Sequence, residues 1–199
     1  MILSDKSIKN LVNGKKMIIK PFNEEFVGPS SYDVTLSGEF GYYLADYYDV
    51  DFNCEEYLKR YKFEDGDKIL ILPGWWEYDK ECYEGCDIKH VFHGGVLGLT
   101  NEWIELPNNI CAQYQGRSSL GRLFLTSHQT AGWIDSGFKG RIVLEIVAHD
   151  KPVILTVGKR IGQLIFSMMD NNCDVGYCDL DKSKYKYQSD VVGFRKDKL

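Results

Sequence analysis

Apolar positions recur along this chain in two rhythms, and the shorter one dominates. Near the start, Ser4-Asp5 is followed by Ile8, Leu11 and Val12 at helical spacing. A serine N-cap and a stop at Asn13-Gly14 predict one short amphipathic helix. After it come short alternating or wholly apolar runs, each closed by Pro, Gly, Asn or Asp. Strands are expected at 17–19, 32–36, 67–72, 96–100, 103–106, 110–114, 141–148, 153–155 and 163–167. Turns fall at Asn101-Glu102, at Pro107-Asn108-Asn109 and at His149-Asp150-Lys151-Pro152. Many short strands with regular turns imply a mainly β domain, a distorted barrel or jelly roll with a few short helices.

Between these runs the pattern weakens. Gly38 to Tyr48 is dense in aromatics, which suit strand surface and core packing. Residues 54–60 read as one or two helical turns. Residues 75–93 show no clear period, with at most a short helix near 77–86. The whole of 50–95 is expected to be an excursion inserted into a single domain spanning 1–199. From Asp179 the chain turns polar and Lys-rich, which predicts a mobile arm over 179–199.

Composition narrows the function classes. With 199 residues the chain can bury roughly 70% of its unfolded surface, so it needs no disulfide or metal staple. A net charge of −5 argues against non-specific nucleic-acid binding, which needs a basic face. No stretch approaches a membrane span and no signal peptide opens the chain, so a cytoplasmic protein with free thiols is expected. Cys82-x3-Cys86 and Cys173-x4-Cys178 are not zinc-pair spacings. His90 and His93 lack further ligands, which favours a packing or surface role.

The candidate chemistry lies in residues 115–148. Arg117-Ser118-Ser119 is expected at a strand-to-helix junction, with the serines capping a helix through Phe124. Exposed N–H groups there suit phosphate, Arg117 adds a bidentate donor, and Arg122 follows one turn on. The plain alternative is a capped helix with surface arginines. Asp135 sits in a Gly-flanked turn, where turn chemistry is its ordinary role. Glu145 interrupts an apolar strand, Ile142 to Val147, that reads as buried on both faces. Desolvation there raises a carboxyl pKa toward the proton-shuttling range. The alternative for Glu145 is a buried ion pair with Arg117 or Arg122.

Several ordered motifs then carry a resemblance. They are Gly116-Arg117-Ser118-Ser119-Leu120-Gly121-Arg122, Thr130 to Phe138, Leu144-Glu145-Ile146, Ile161-Gly162-Gln163-Leu164 and Lys184-Tyr185-Lys186-Tyr187-Gln188. With Met1-Ile2-Leu3-Ser4-Asp5 and Gly28 to Val34, they resemble the dCTP deaminase and dUTPase superfamily. Only about residues 40–95 lack the likeness. Gly132-Trp133-Ile134-Asp135 resembles the dUTPase motif, while Glu145 and the Lys184–Gln188 arm resemble the deaminase branch. Together they are similar to archaeal bifunctional enzymes that take dCTP to dUMP, diphosphate and ammonia.

The resemblance implies a dUTPase-like fold, a homotrimer with sites between subunits, and Mg²⁺ held mainly by the triphosphate, with no metal site on the protein. It implies Glu145 as general base and acid at cytosine C4 and Asp135 as activator of water at the α-phosphorus. Arg117, Ser118, Ser119 and Arg122 would bind phosphates, and backbone at Ala131 would position the water and the pyrimidine. Val143, Gln163, Tyr177, Lys184 and Gln188 would line the base or triphosphate, the tail closing as a lid. dCTP and dUTP are the implied ligands, with dTTP as inhibitor. The readings left open are a plain dUTPase, a single-function deaminase, a non-catalytic trimeric nucleotide-binding protein and a carbohydrate-binding jelly roll.

Overall fold

The structure, a computed structural model, describes residues 1–45 and 54–195. In chain order come α1 (Asp5–Asn13), β1 (Ile18–Lys20), β2 (Tyr32–Tyr43), β3 (Leu58–Lys62), β4 (Lys68–Leu72), β5 (Ile88–His93), β6 (Val96–Thr100), β7 (Trp103–Glu105) and β8 (Ile110–Gly116). Then follow α2 (Ser118–Gly121), β9 (Leu125–Thr126), β10 (Trp133–Ile134), β11 (Lys139–Gly140), β12 (Val143–Ala148), β13 (Val153–Thr156) and β14 (Arg160–Met168). The mainly β class expected from the alternation is the one observed. Helix α1 forms as the pattern predicts: Ser4 caps it by accepting the Ser7 N–H, and Ile8 points into the core.

The main sheet runs β10-β8-β14-β2-β6-β12-β9, with β3 added on β2. Two three-stranded sheets flank it, β1-β7-β11 and β13-β4-β5. Strand β2 is the spine. Its first half pairs with β14 through Tyr32 to Thr35, and its second half pairs with β6 and β3. The β2–β6 register shifts between Leu36 and Phe40. Such irregularities bend a strand and raise its twist, which curls the sheet into a half-barrel. The core within the curl holds Tyr32, Val34, Leu36, Phe40, Leu144, Ile146, Leu164 and Phe166, all fully buried.

The bend is held by polar groups. Glu102 accepts the Thr35 N–H at 2.9 Å and the Thr35 hydroxyl at 2.8 Å. The Asn101 amide donates to Thr35 Oγ1 at 3.0 Å and to the Leu36 carbonyl at 3.3 Å. The sequence marks Asn101-Glu102 as a turn, and turn acids are normally solvated. Glu102 is instead 1% exposed. Burial pushes its carboxyl pKa up, and the two Thr35 bonds and nearby Arg141 offset this only in part.

Other differences have plain causes. Residues 88–93 form a strand, parallel to β4, that the pattern concealed. Only Phe92 of β5 is buried, so Lys89, His90 and His93 mask the alternation. The helix expected near 77–86 shrinks to a 3-10 turn at Glu81–Tyr83, because no apolar stripe supports more. Residues 54–60 divide into a 3-10 turn at Cys54–Tyr57 and the start of β3. Of the aromatic run 38–48, Tyr42 and Tyr43 lie on β2, while 46–48 fall outside the described residues. His90 packs at 4.6 Å on the Tyr61 ring and 4.5 Å on Phe92, a packing role.

Glu102 gives the first test. A raised folded pKa favours the protonated form in the fold. The stability it contributes is full below the ordinary carboxylate pKa and is lost as pH rises through the raised value. Glu102→Gln removes that loss. Urea unfolding at successive pH values upward from the ordinary carboxylate range should show the variant gaining on the wild type as pH rises. A pH-independent difference contradicts the burial argument.

Candidate active site

Strand β12 supplies the central carboxylate. Burial alternates along it: Leu144, Ile146 and Ala148 face the core, and Val143, Glu145 and Val147 face the other way, half-buried. The expectation of burial on both faces is thereby corrected. The second face of β12 opens onto a cavity and is not covered by another layer. Glu145 Oε2 accepts the Gln129 N–H at 2.8 Å. The Gln129 amide donates to the Glu145 carbonyl at 3.3 Å and to Thr126 Oγ1 at 3.1 Å, so one residue fixes both carboxylate and strand. Among the described residues, the other oxygen, Oε1, accepts nothing. Glu145 forms no ion pair with Arg117 or Arg122, because Arg117 turns to Asp33 at 3.6 Å.

Asp135 follows β10 and is exposed to the same cavity. The Trp133 indole N–H donates to Asp135 Oδ1 at 3.2 Å, which orients the carboxylate. Behind it, the turn at Gly137 meets Gly176 closely. Gly137 has φ 76°, and a Cβ there would stand 2.5 Å from Gly176 Cα and 2.9 Å from the Tyr177 nitrogen. That approach lets the Tyr177 N–H donate to the Ser136 carbonyl at 2.8 Å. It also sets the Tyr177 ring 5.9 Å from Phe138. Burial raises the Tyr177 hydroxyl pKa above its usual value, so it stays a neutral donor.

In sheet order β10 and β12 are separated by four strands, β8, β14, β2 and β6. Only the curl brings them together. They share a cavity of about 500 Å³ with Asp135 and Glu145 on its wall. Ala131, Val143, Tyr177 and Gln188 line it too. Glu145 also borders an apolar chamber of about 300 Å³ beside Val96 and Val147. The arm forms one wall of the larger cavity. Gln188 exchanges hydrogen bonds with Arg141, its amide donating to the Arg141 carbonyl at 2.7 Å and its carbonyl accepting the Arg141 N–H at 2.8 Å.

Six expected residues do not line the cavity: Arg117, Ser118, Ser119, Arg122, Gln163 and Lys184. Lys184 stands near it, with its ammonium 5.8 Å from the ring centre of Phe194, a lining residue. Arg117 and Arg160 both pair with Asp33, and Gln163 is the strand partner of Asp33. Helix α2 is one turn long. Its N-cap is Arg117, with no side-chain cap bond, so the two serines begin the helix and do not cap it. The helix ends at Gly121, short of the expected Phe124, which takes a left-handed φ of 55°. Ser118, Ser119 and Arg122 are exposed, beside exposed Leu123 and Phe124.

Sequence reasoning missed Tyr43, Trp133, Phe194 and the backbone of Gln129. A backbone donor leaves no mark in a side-chain pattern, and aromatic residues read equally well as core. The charge pairing of Asp33 was also unforeseen, although Asp33 lies in the Gly28–Val34 motif.

The architecture has a solved counterpart. The 2'-deoxycytidine 5'-triphosphate deaminase from Agrobacterium tumefaciens matches with a TM-score of 0.60 at 20% identity. The match covers 83% of this chain and 46% of that one, so this chain spans about half that structure's length. The fold is thus the one adopted by that deaminase. The dCTP deaminase-like family model matches residues 2–76 and 93–169, and the chain belongs to this family. It is 57% identical over 199 residues to "dCTP deaminase, dUMP-forming" of Methanocaldococcus jannaschii, covering 96% of this chain and 94% of that protein. It is 54% identical over 196 residues to the protein of the same name from Methanococcus maripaludis, covering 96% and 93%.

The Gly137 approach is testable. Gly137→Ala forces a left-handed alanine, costing about 1–2 kcal/mol before any clash. For a chain of this size that lowers Tm by several degrees, at roughly 2–4 °C per kcal/mol. Tyr177 should be displaced, read as altered near-ultraviolet circular dichroism. An unchanged Tm and spectrum would show that the loop has room the geometry denies.

Proposed function

We propose that this protein converts dCTP to dUMP, releasing ammonia and diphosphate, in one site that works twice. The observation that carries the reading is the pair of carboxylates, Glu145 and Asp135, on the wall of one nucleotide-sized cavity. The names of the relatives point the same way. A pure nucleotide binder needs neither base.

In the first step Glu145 takes a proton from water, and the hydroxide oxygen bonds to cytosine C4. The carboxyl passes that proton to N3, then takes the proton of the new C4 hydroxyl and gives it to the amine as the C4–N bond breaks and the C4 carbonyl forms, giving dUTP and ammonia. The Gln129 N–H on Oε2 supports this division, since it leaves Oε1 for the water. Tyr177 and Gln188 hold the nucleoside, and Val143 packs against it. In the second step Asp135 orients and deprotonates a water that attacks the α-phosphorus, and diphosphate leaves as dUMP forms. Trp133 holds the Asp135 carboxylate for that task.

The triphosphate needs cations the cavity wall does not hold. Arg117, Ser118, Ser119 and Arg122 lie outside it, next to exposed apolar Leu123 and Phe124. A homotrimer in which one subunit's α2 faces its neighbour's cavity accounts for both facts. Gln163 and Lys184 would join that triphosphate end. Among the described residues no three His, Cys, Asp or Glu side chains gather to hold a cation. In this reading Mg²⁺ comes with the triphosphate, where the ion would offset phosphate charge.

Two substitutions divide the labour. Glu145→Gln should cut ammonia release from dCTP by at least about 100-fold, the lower end of what a general acid–base group contributes. Retained deamination would remove Glu145 from the chemistry. Asp135→Asn should slow diphosphate release from dUTP by a similar factor, about 100-fold or more. An unaltered rate would leave Asp135 as turn structure alone.

A further inference from the structure

The cavity described above has one wall made from the C-terminal arm: Gln188, Val192, Gly193 and Phe194. Something must hold that wall in place. We propose that Val191 is a plug, that Gly41, Leu58 and Leu99 form its socket, and that Glu55 and Arg60 are positioning residues that latch the arm over the nucleotide. The proposal rests on the reading of this cavity as the substrate site.

Val191 is fully buried, although it belongs to a polar tail. It packs with Leu58 of β3 and Leu99 of β6, in a small cluster separate from the main core. Gly41 of β2 makes the room. A Cβ on Gly41 would stand 2.8 Å from Val191 Cγ1 and 3.0 Å from Leu58 Cδ1. The socket thus exists only because β2 carries a glycine opposite β3.

Hydrogen bonds secure the chain on each side of the plug. Arg60 Nε donates to the Val191 carbonyl at 3.2 Å. The Gly193 N–H donates to Glu55 Oε2 at 2.6 Å, and the Phe194 N–H donates to the Tyr43 hydroxyl at 2.7 Å. Arg60 also pairs with Glu55, aiming the carboxylate at the arm, and lies 4.0 Å from Asp190. A Cβ on Gly193 would meet Tyr43 and Glu55 at 2.8 and 2.9 Å, so the arm fits its seat closely. Upstream, Arg141 donates to the Ser189 carbonyl and to Glu39, both at 3.1 Å.

Glu55, Leu58, Arg60 and Val191 do not line the cavity. They act on the substrate only through the arm. Segment 54–62, which the sequence presents as part of an unexplained excursion, is thereby the arm's receptor. If substrate is held only by the closed arm, its apparent affinity falls in proportion to the closed fraction. Saturating substrate restores closure, so kcat for deamination is spared while KM rises.

The test uses the full-length chain carrying Arg60→Ala or Val191→Asp. Three quantities are read: KM and kcat for ammonia release from dCTP, the rate of tryptic cleavage after Lys184 and Lys186, and Tm. Cutting the closed fraction to a tenth should raise KM about tenfold with kcat nearly constant. Trypsin should cut the arm faster in both variants, with Tm lowered by no more than a few degrees because the main core is intact. Unchanged KM and unchanged cleavage overturn the latch, as does a joint fall of kcat and Tm without faster cleavage. If the wild type turns over neither dCTP nor dUTP, the substrate reading fails instead. Tryptic protection of the arm then still decides whether Val191 and Arg60 hold it.

Discussion

Glu102 accepts two hydrogen bonds from Thr35 beside the point where β2 shifts register, and the curl of the main sheet begins there. Much else depends on that curl. A flat sheet of the same order would leave Asp135 and Glu145 four strands apart. The carboxylate is buried, so its two partners are a condition of its being there. An unpaired buried acceptor costs about 1–3 kcal/mol, and more when charged. Thr100 extends the network, accepting the Arg141 Nε–H on its carbonyl at 2.6 Å. Arg141 in turn holds the arm through Ser189 and Gln188. Bend and arm are thus tied by one connected set of polar contacts.

The two carboxylates are held differently, and the difference suits the two roles proposed for them. Glu145 sits on a regular strand, fixed by a backbone N–H, beside an apolar chamber. Asp135 sits on a turn, exposed and fixed by an indole N–H. A group that carries protons to and from a ring gains from rigid placement in a partly dry setting. A group that prepares water for attack on a charged phosphate gains from access to solvent. Arg117 and Arg160, held by Asp33, form a separate charged cluster away from the cavity.

Strands β4, β6 and β12 were legible because each is an apolar run closed by turn residues, with at least one face against the core. So were α1, with its serine cap, and the Asp135 and Glu145 positions, each set off by its surroundings. Strand β5 was hidden because five of its six residues escape full burial. Glu102 was misread because turn chemistry and burial of a bend use the same residues. The environment of Glu145 was misjudged because an apolar run looks alike whether its second face meets protein or a cavity. The arm's seat was illegible in principle. It joins Gly41, Leu58 and Val191 across 150 residues, and no local pattern relates them.

In the reading proposed above, one cavity carries both reactions. The most direct measurement is a time course of dCTP with Mg²⁺, separating nucleotides by anion exchange. dUMP should appear from the start with ammonia in equal amount, and free dUTP should not build up. Accumulation of dUTP as the end product would contradict that reading, since deamination would then proceed without hydrolysis at the α-phosphorus.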